Sequence, residues 1–291
     1  GGRYSALSAF GLVPAALMGL DLDAILAGAL ETAEACRQPD PAANPGLALG
    51  LELGQAWHAG RDKAILNPNP GAFGLWVEQL IAESTGKDER GIVPCPDESP
   101  DGDDRQPVSI DLTDVSSVGA EFYRFEFATA IAGAMIGINP FDQPNVQEAK
   151  DRTGAILASG EQPVLEPVGS IDSLLEQAQA GDYLALLAFV AASPENEAAL
   201  ARARSRLSEL TGLPTTTGFG PRYLHSTGQL HKGGPGSGLF VQAVDDPPHL
   251  EIPGREYGFR RLIRAQAEGD FEALLERGRR AVRVSWEELS A

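Results

Sequence analysis

The segment Tyr183-Leu-Ala-Leu-Leu-Ala-Phe-Val190 is an uninterrupted apolar run. A short run of this kind predicts a strand that is buried on both faces of a sheet. The charged, amphipathic residues 195–210 follow it and predict a helix, and further short strand patterns end at Gly220, Val244 and Ser285. Because strands alternate with helices, we predict an α/β protein whose mostly parallel sheet is flanked by helices.

The same alternation extends toward the N terminus. Strands are predicted at Lys63–Leu66, Gly91–Pro94 and Val108–Leu112, and helices at Ala72–Thr85 and Glu121–Ile138. In parallel sheets, ligands bind beyond the carboxyl ends of the strands. Residues just after strands, or on the helices that follow, are therefore the candidates for a functional site.

The domain organisation follows from a change of pattern near residue 60. Residues 1–60 are rich in Ala and Leu with helical spacing, whereas strands begin only after them. We predict a helical lead-in over 1–60, continuing from a missing upstream domain, and one α/β domain over 61–291. A sub-boundary near 155–170 is left open.

Composition narrows the class of protein. With 41 acidic and 23 basic residues the formal charge is −18, which argues against a general nucleic-acid binder. The two cysteines, Cys36 and Cys95, make no disulfide framework or zinc motif and fit a reducing compartment. The longest apolar runs fall far short of the roughly 20 residues of a membrane span. We expect a cytoplasmic protein without a metal site.

Four side chains stand out as candidates for acid/base chemistry. Glu83 lies in the last turn of a predicted helix, where the negative end of the helix dipole disfavours a carboxylate. Lys150 lies on the helix that opens after Pro144. His225 and His231 lie in one polar cluster, but their spacing fits neither helical nor strand metal pairs. Each of these residues, taken alone, is also compatible with an ordinary structural or solvated side chain.

Four motifs together resemble one known family. They are Gly1-Gly2-Arg3-Tyr4-Ser5, the Glu-Ser-Thr-Gly-Lys within Gln79–Lys87, the segment Phe141–Lys150 with its Phe-Asp-Gln start, and Leu224-His-Ser-Thr-Gly-Gln229. On these residues the chain resembles glucose-6-phosphate isomerase, also called phosphoglucose isomerase. It is most similar to the isomerase portion of bifunctional transaldolase/phosphoglucose isomerase proteins, in which the histidine segment also follows the lysine segment. Asn145 and Gln147 depart from the Gly and Glu of the usual lysine signature.

The resemblance implies a sugar-isomerase (SIS) type fold and a reaction. That reaction interconverts glucose 6-phosphate and fructose 6-phosphate through an enediolate, without a cofactor. Glu83 would move a proton between C2 and C1, and Arg3 would stabilise the enediolate charge. Lys150 and His225 would open the sugar ring. The residues expected close to the substrate are Gly2, Gln143 and His231, the last also being the second candidate for the histidine role.

The resemblance also bears on partners and on alternatives. In the family, Ser/Thr-rich loops of an upstream domain hold the substrate phosphate, so we expect the present chain alone to bind sugar phosphate weakly and turn over slowly or not at all. Family members often dimerise, and an upstream transaldolase domain is a further expected partner. The alternatives are a non-catalytic sugar-phosphate-binding module, a structural partner domain for a transaldolase, and an isomerase that also accepts mannose 6-phosphate.

Overall fold

The computed structural model describes residues 2–144, 146–160, 163–246 and 248–291, with the backbone alone for 146–150. The chain forms two compact units, Gly1–Gln143 and Pro144–Ala291. Each unit contains its own parallel sheet. The α/β class with parallel sheets flanked by helices is therefore confirmed, although the sequence predicted one sheet where the described residues form two.

The first unit, over its described residues, is built from five helices and three strands. In chain order these are α1 (Ala9–Leu17), α2 (Leu22–Ala35), α3 (Pro45–His58), β1 (Lys63–Leu66), α4 (Ala72–Thr85), β2 (Val93–Pro96), β3 (Arg105–Pro107) and α5 (Val115–Ile136). The strand order is β2-β1-β3, and both pairings are parallel. Leu66, Leu80 and Phe125, on β1, α4 and α5, are fully buried in the core of this unit.

Helices α2 and α3 lie in the region expected to form a separate lead-in, but they pack on α5 of the first unit. Their close approach depends on small residues. A Cβ at Gly119 of α5 would lie 1.8 Å from the backbone carbonyl oxygen of Ile25 on α2, so a larger residue there would force the helices apart. The unit boundary lies between Gln143 and Pro144, earlier in the chain than the 155–170 region.

The second unit has six helices and four strands in the part that the structure describes. They are α6 (Val146–Ala158), α7 (Ile171–Leu175), β4 (Tyr183–Phe189), α8 (Pro194–Thr211), β5 (Thr215–Phe219), α9 (Gly228–Gly233), β6 (Gly238–Val244), α10 (Phe259–Glu276), β7 (Arg280–Ser285) and α11 (Trp286–Ser290). All pairings in the order β5-β4-β6-β7 are parallel. Every residue of β4 is buried, as the apolar run predicted.

One strand prediction in the first unit was wrong. The third strand is Arg105–Pro107, and not Val108–Leu112. Its first two residues are polar yet buried, and Arg105 lies 3.9 Å from the carboxylate of Glu98. A strand whose buried side chains are charged or amide groups shows no apolar alternation. The prediction, which relied on alternation, therefore placed the strand at the more apolar residues that follow, Val108–Leu112.

In the described part of the chain, no helix has both the length and the apolar character of a membrane-spanning segment.

Candidate active site

Arg3 is the centre of a polar cluster in the first unit. Its side chain is buried, and Nη1 donates to Ser84 Oγ at 3.1 Å and to the carbonyl oxygen of Pro140 at 2.9 Å. Nη2 donates to the carbonyl oxygen of Phe141 at 3.3 Å and to Gln143 Oε1. Because the protein supplies acceptors for both Nη groups, the guanidinium is held as a fixed positive charge.

Glu83 lies beside this charge. Helix α4 places it in its last turn, where Oε2 is 3.7 Å from Arg3 Nε and the side chain is 12% exposed. Gln79, one helical turn earlier, donates from Nε2 to the same oxygen at 3.0 Å. The carboxylate is thus oriented by a cation and an amide that both contact Oε2.

The backbone of Gly2 lies against the same helix. Trp76 Nε1 donates to the Gly2 carbonyl oxygen at 2.9 Å. A Cβ at Gly2 would lie 3.2 Å from Gln79 Oε1, so a side chain here would press on the amide that orients Glu83. Gln79 was not among the predicted site residues, and its signal in the sequence is the four-residue spacing to Glu83 on one helix face.

A second carboxyl lies next to this segment. Burial raises the pKa of Glu126, on α5, to about 7, although the backbone N–H of Ala6 hydrogen bonds to it and acts in the opposite direction. Burial also raises the pKa of Tyr4 to about 12, and the negative charge of Glu126 contributes to that rise. The Tyr4 ring lies 4.9 Å from the ring of Phe141, centroid to centroid. The residues near Tyr4 and Ala6 therefore include a carboxyl whose pKa is raised toward neutral pH.

The two candidate histidines in the second unit lie in different environments. His225 ends a 3-10 turn that follows β5, and it is exposed. His231 lies in α9, only 3% exposed, with its ring 5.2 Å from that of Phe240. Burial lowers the pKa of His231 well below its usual range, and the positive charges of Lys232 and Arg279 lower it further. His231 is therefore a neutral core side chain, whereas His225 is accessible to a ligand.

The segment between these histidines and α10 is fixed by a buried polar network. Lys232 Nζ lies 2.6 Å from Asp270 Oδ1, and Tyr223 donates its hydroxyl to Asp270 Oδ2 at 2.6 Å. Arg279 Nη2 donates to the carbonyl oxygens of Lys232 and Gly234 at 2.8 and 2.7 Å. What reads in the sequence as a polar, glycine-rich cluster is thus largely interior.

The carboxyl edge of the second sheet carries two cavities, of 430 and 300 Å³. Asp245 and Asp246, which follow β6, line both cavities, and Phe189 at the end of β4 lines the smaller one. In the order β5-β4-β6-β7, β5 is added on one side of β4 and β6 on the other. The strand order therefore switches between β4 and β6. This is the place where open α/β sheets bind ligands.

The structure therefore brings four predicted residues together in the first unit, namely Gly2, Arg3, Glu83 and Gln143. Lys150 lies on α6, and its side chain falls outside the described residues. That Lys150 and His225 act on the same substrate as Arg3 and Glu83 stays a prediction. Among the described residues no group of three or more His, Cys, Asp or Glu side chains is placed to hold a metal ion.

Known proteins share sequence with parts of this chain. No family model matches the chain. It is 40% identical to the glucose-6-phosphate isomerase of Symbiobacterium thermophilum over 98 residues, 33% of this chain and 22% of that protein. It is 26% identical to that of Clostridium perfringens strain SM101, and 27% identical to that of Lactobacillus gasseri, in each case over 54% of this chain and 51% of the relative.

The chain thus spans about half or less of the length of these curated relatives. Among solved structures, a hypothetical protein from Thermus thermophilus aligns over 99% of this chain and 86% of that one, at 12% identity and a TM-score of 0.35, too low to carry an argument. The fold and site define an α/β protein whose parallel sheets fit a sugar-isomerase type. The curated relatives support a relationship to the glucose-6-phosphate isomerases, at low identity and over part of the chain.

Proposed function

We propose that this chain is the catalytic part of an aldose–ketose isomerase that interconverts glucose 6-phosphate and fructose 6-phosphate. The observation that carries the proposal is the pair of the buried Arg3 and the partly buried Glu83, with 3.7 Å between Nε and Oε2. Moving a proton between adjacent sugar carbons needs a fixed base and a cation for the enediolate, and this pair supplies both.

Glu83 is the base in this mechanism. Arg3 and Gln79 both contact Oε2, so we assign proton transfer between C2 and C1 to Oε1. Removal of the proton places negative charge on the substrate oxygens. Arg3 stabilises that charge as a preorganised cation, since its Nη groups are already held by the protein and need no rearrangement during the reaction.

Ring opening is assigned to the second set of predicted residues. His225 is exposed, whereas the buried, neutral His231 would have to leave the core to reach a sugar. We therefore choose His225 for proton transfer to the ring oxygen and the C1 hydroxyl, with Lys150 as its partner. In this proposal the reaction uses no cofactor.

The proposal also covers the domain context of this chain, its location in the cell and its oligomeric state. The Clostridium perfringens relative is about twice as long as the part that matches, so a separate domain would supply the Ser/Thr loops that hold the substrate phosphate. We propose that this chain acts as a C-terminal part, in the manner of the transaldolase fusions, in the cytoplasm and as a homodimer. The sugar phosphate is its small-molecule partner.

A second candidate function is binding of sugar phosphates without turnover. It is favoured by the contacts of Arg3. Both Nη groups already donate to protein acceptors, so they are less available to hydrogen bond to an enediolate oxygen, and Nε is the donor nearest to Glu83. Such a module would need Arg3 for its charge but would not depend on the carboxylate.

Substitution of Glu83 by Gln in the intact protein, including the domain proposed to hold the phosphate, separates the two candidates. An isomerase should lose about 10²–10⁴-fold in turnover, because the base is removed, while a sugar phosphate still binds. Glu52→Gln, an exposed position on α3, is the matched control and should change neither. Turnover is measured as fructose 6-phosphate formation and binding by calorimetry. A Glu83→Gln variant with unchanged turnover would refute the assignment of the base.

A further inference from the structure

A tight turn after α4 presents two cations, Arg90 to the last residue of α5 and Lys87 to the segment that follows α5. Lys87 and Arg90 pair through their backbones, with N–O distances of 2.9 and 3.0 Å. Between them, Asp88 and Glu89 have φ angles of 53° and 59°, in the left-handed region that residues other than glycine rarely adopt. Strained backbone of this kind persists only where its surroundings impose it, and it clusters near functional sites.

The last residue of α5 and the segment after it turn their carbonyl oxygens toward cations of the first unit. Arg90 Nη1 donates to the Ile136 carbonyl at 2.9 Å, and Lys87 Nζ donates to the carbonyls of Asn139, at 2.6 Å, and of Asp142. Arg3 donates to the carbonyls of Pro140 and Phe141, which lie between Asn139 and Asp142 in the chain. The backbone acceptors held by Arg3, Lys87 and Arg90 are Ile136, Asn139, Pro140, Phe141 and Asp142.

Lys87 connects this segment to the electrostatics of the site. It is 2% exposed, which is rare for a lysine, and its Nζ lies 2.7 Å from Asp142 Oδ1. Burial lowers the pKa of Lys87, the hydrogen bond and charge of Asp142 oppose that shift, and the charges of Arg3 and Glu83 also act on it. The charge of Lys87 thus interacts with the charges of both Arg3 and Glu83.

We propose that Lys87 is a positioning residue of the candidate active site, which holds residues 139–143 in the shape that fixes Arg3 beside Glu83. The inference rests on the proposed function for its catalytic consequence. Without the ammonium, two backbone carbonyls lose a donor and Asp142 Oδ1 loses its ion pair. The acceptors of Arg3 in the same segment then lose their fixed positions. Proton transfer is sensitive to such misplacement, whereas phosphate binding is assigned elsewhere, so turnover should fall more than affinity.

The test uses Lys87→Met, which keeps the length of the side chain and removes its charge, with Lys87→Arg as the rescue variant. Lys63→Met is the matched control, because Lys63 is 1% exposed in the same unit and pairs at 2.6 Å with Asp62 at the start of β1. Hydrogen exchange of the Arg3 Nε–H is followed by ¹⁵N NMR, its signal being identified from its loss in Arg3→Lys. Turnover and KM are measured on fructose 6-phosphate.

We expect Lys87→Met to speed exchange at Arg3 Nε at least tenfold and to lower kcat at least tenfold, with KM within about threefold. Lys87→Arg should restore most of both, and Lys63→Met should change neither. Unchanged exchange at Arg3 in Lys87→Met overturns the positioning role, and changed exchange with unchanged kcat overturns its catalytic consequence. If Lys87→Met does not fold, Asp142→Asn should show the same effects at about threefold, and no effect there overturns the proposal. Turnover is measured on the intact protein, and its absence in the unsubstituted form counts against the proposed function alone, because the exchange measurement still decides the positioning role.

Discussion

Each unit contains a buried lysine paired with an aspartate, and the two pairs differ in their surroundings. Lys87 and Asp142 in the first unit are 2.7 Å apart, and Lys232 and Asp270 in the second are 2.6 Å apart. Asp142 is 52% exposed, whereas Asp270 is 1% exposed and also accepts the Tyr223 hydroxyl. The first pair lies at the surface of a candidate site and fixes a loop, while the second lies in the core and joins two helices.

The largest effect is expected from Lys232→Met. The substitution leaves Asp270 buried without its cation, which should lower the free energy of unfolding by about 3–5 kcal/mol. Urea denaturation measures this value. The double substitution Lys232→Met with Asp270→Asn removes both charges and should recover a large part of the loss. A loss below about 1 kcal/mol in the single variant would contradict a core role for the pair.

Lys87→Met should destabilise the protein less than Lys232→Met. Because Asp142 keeps access to water, its unpaired carboxylate can be hydrated, and we expect a loss of about 1–2 kcal/mol. The same urea experiment provides the comparison. Equal losses in the two variants would show that the difference in exposure between the two aspartates has no energetic meaning.

Glu126→Gln, in the first unit, should change the free energy of unfolding by an amount that depends on pH. The pKa of Glu126 is raised from 4.5 to about 7 in the folded protein, so between these values the folded state binds more protons than the unfolded state. The contribution of this group to the free energy of unfolding therefore falls as pH rises through this window. The carboxyl retains some contact with solvent, so we expect Glu126→Gln to be about 1 kcal/mol more stable than the unsubstituted protein at pH 8.

Thermal or urea unfolding of both proteins at pH 5 and pH 8 measures the effect. At pH 5 the native carboxyl is already neutral in the folded state, so the two proteins should differ much less. A difference that is the same at both pH values would contradict a raised pKa at Glu126.

The smallest stability effect is expected at His225 in the second unit. Because the side chain is exposed, His225→Asn should change the free energy of unfolding by less than about 0.5 kcal/mol, while lowering turnover of the cyclic substrate. His231→Asn should lower the free energy of unfolding more than His225→Asn does and should affect turnover of the folded protein less, since it places a new amide in the core beside Phe240. A loss of turnover confined to His231→Asn, in folded protein, would reverse the choice between the two histidines.

The sequence predicted those parts of the fold that follow from local periodicity. The bounds of α4, Ala72–Thr85, were predicted correctly, and β4 was identified by its apolar run. The division into two sheets depends on which strands pair, and local pattern carries no such information. Strand β3 was misplaced because Arg105 at its start is buried in polar contacts.

The candidate site was predictable only through the resemblance between motifs. Nothing in the periodicity places Arg3 beside Glu83, because the contact joins residues far apart in the chain. Local pattern gives no sign that Lys87 and Lys232 are interior, since lysine is almost never buried unless it is paired. Their partners, Asp142 and Asp270, lie far along the chain, so only the three-dimensional structure shows that these lysines are interior.

The most direct measurement follows the proton that Glu83 is proposed to move. The intact protein, including the domain proposed to hold the substrate phosphate, is incubated with fructose 6-phosphate in D₂O, and the sugar phosphates are examined by NMR and mass spectrometry. We predict incorporation of deuterium at C1 of fructose 6-phosphate and at C2 of the glucose 6-phosphate formed. If the intact protein binds the substrate, forms no glucose 6-phosphate and incorporates no deuterium at either position, proton transfer at Glu83 is contradicted.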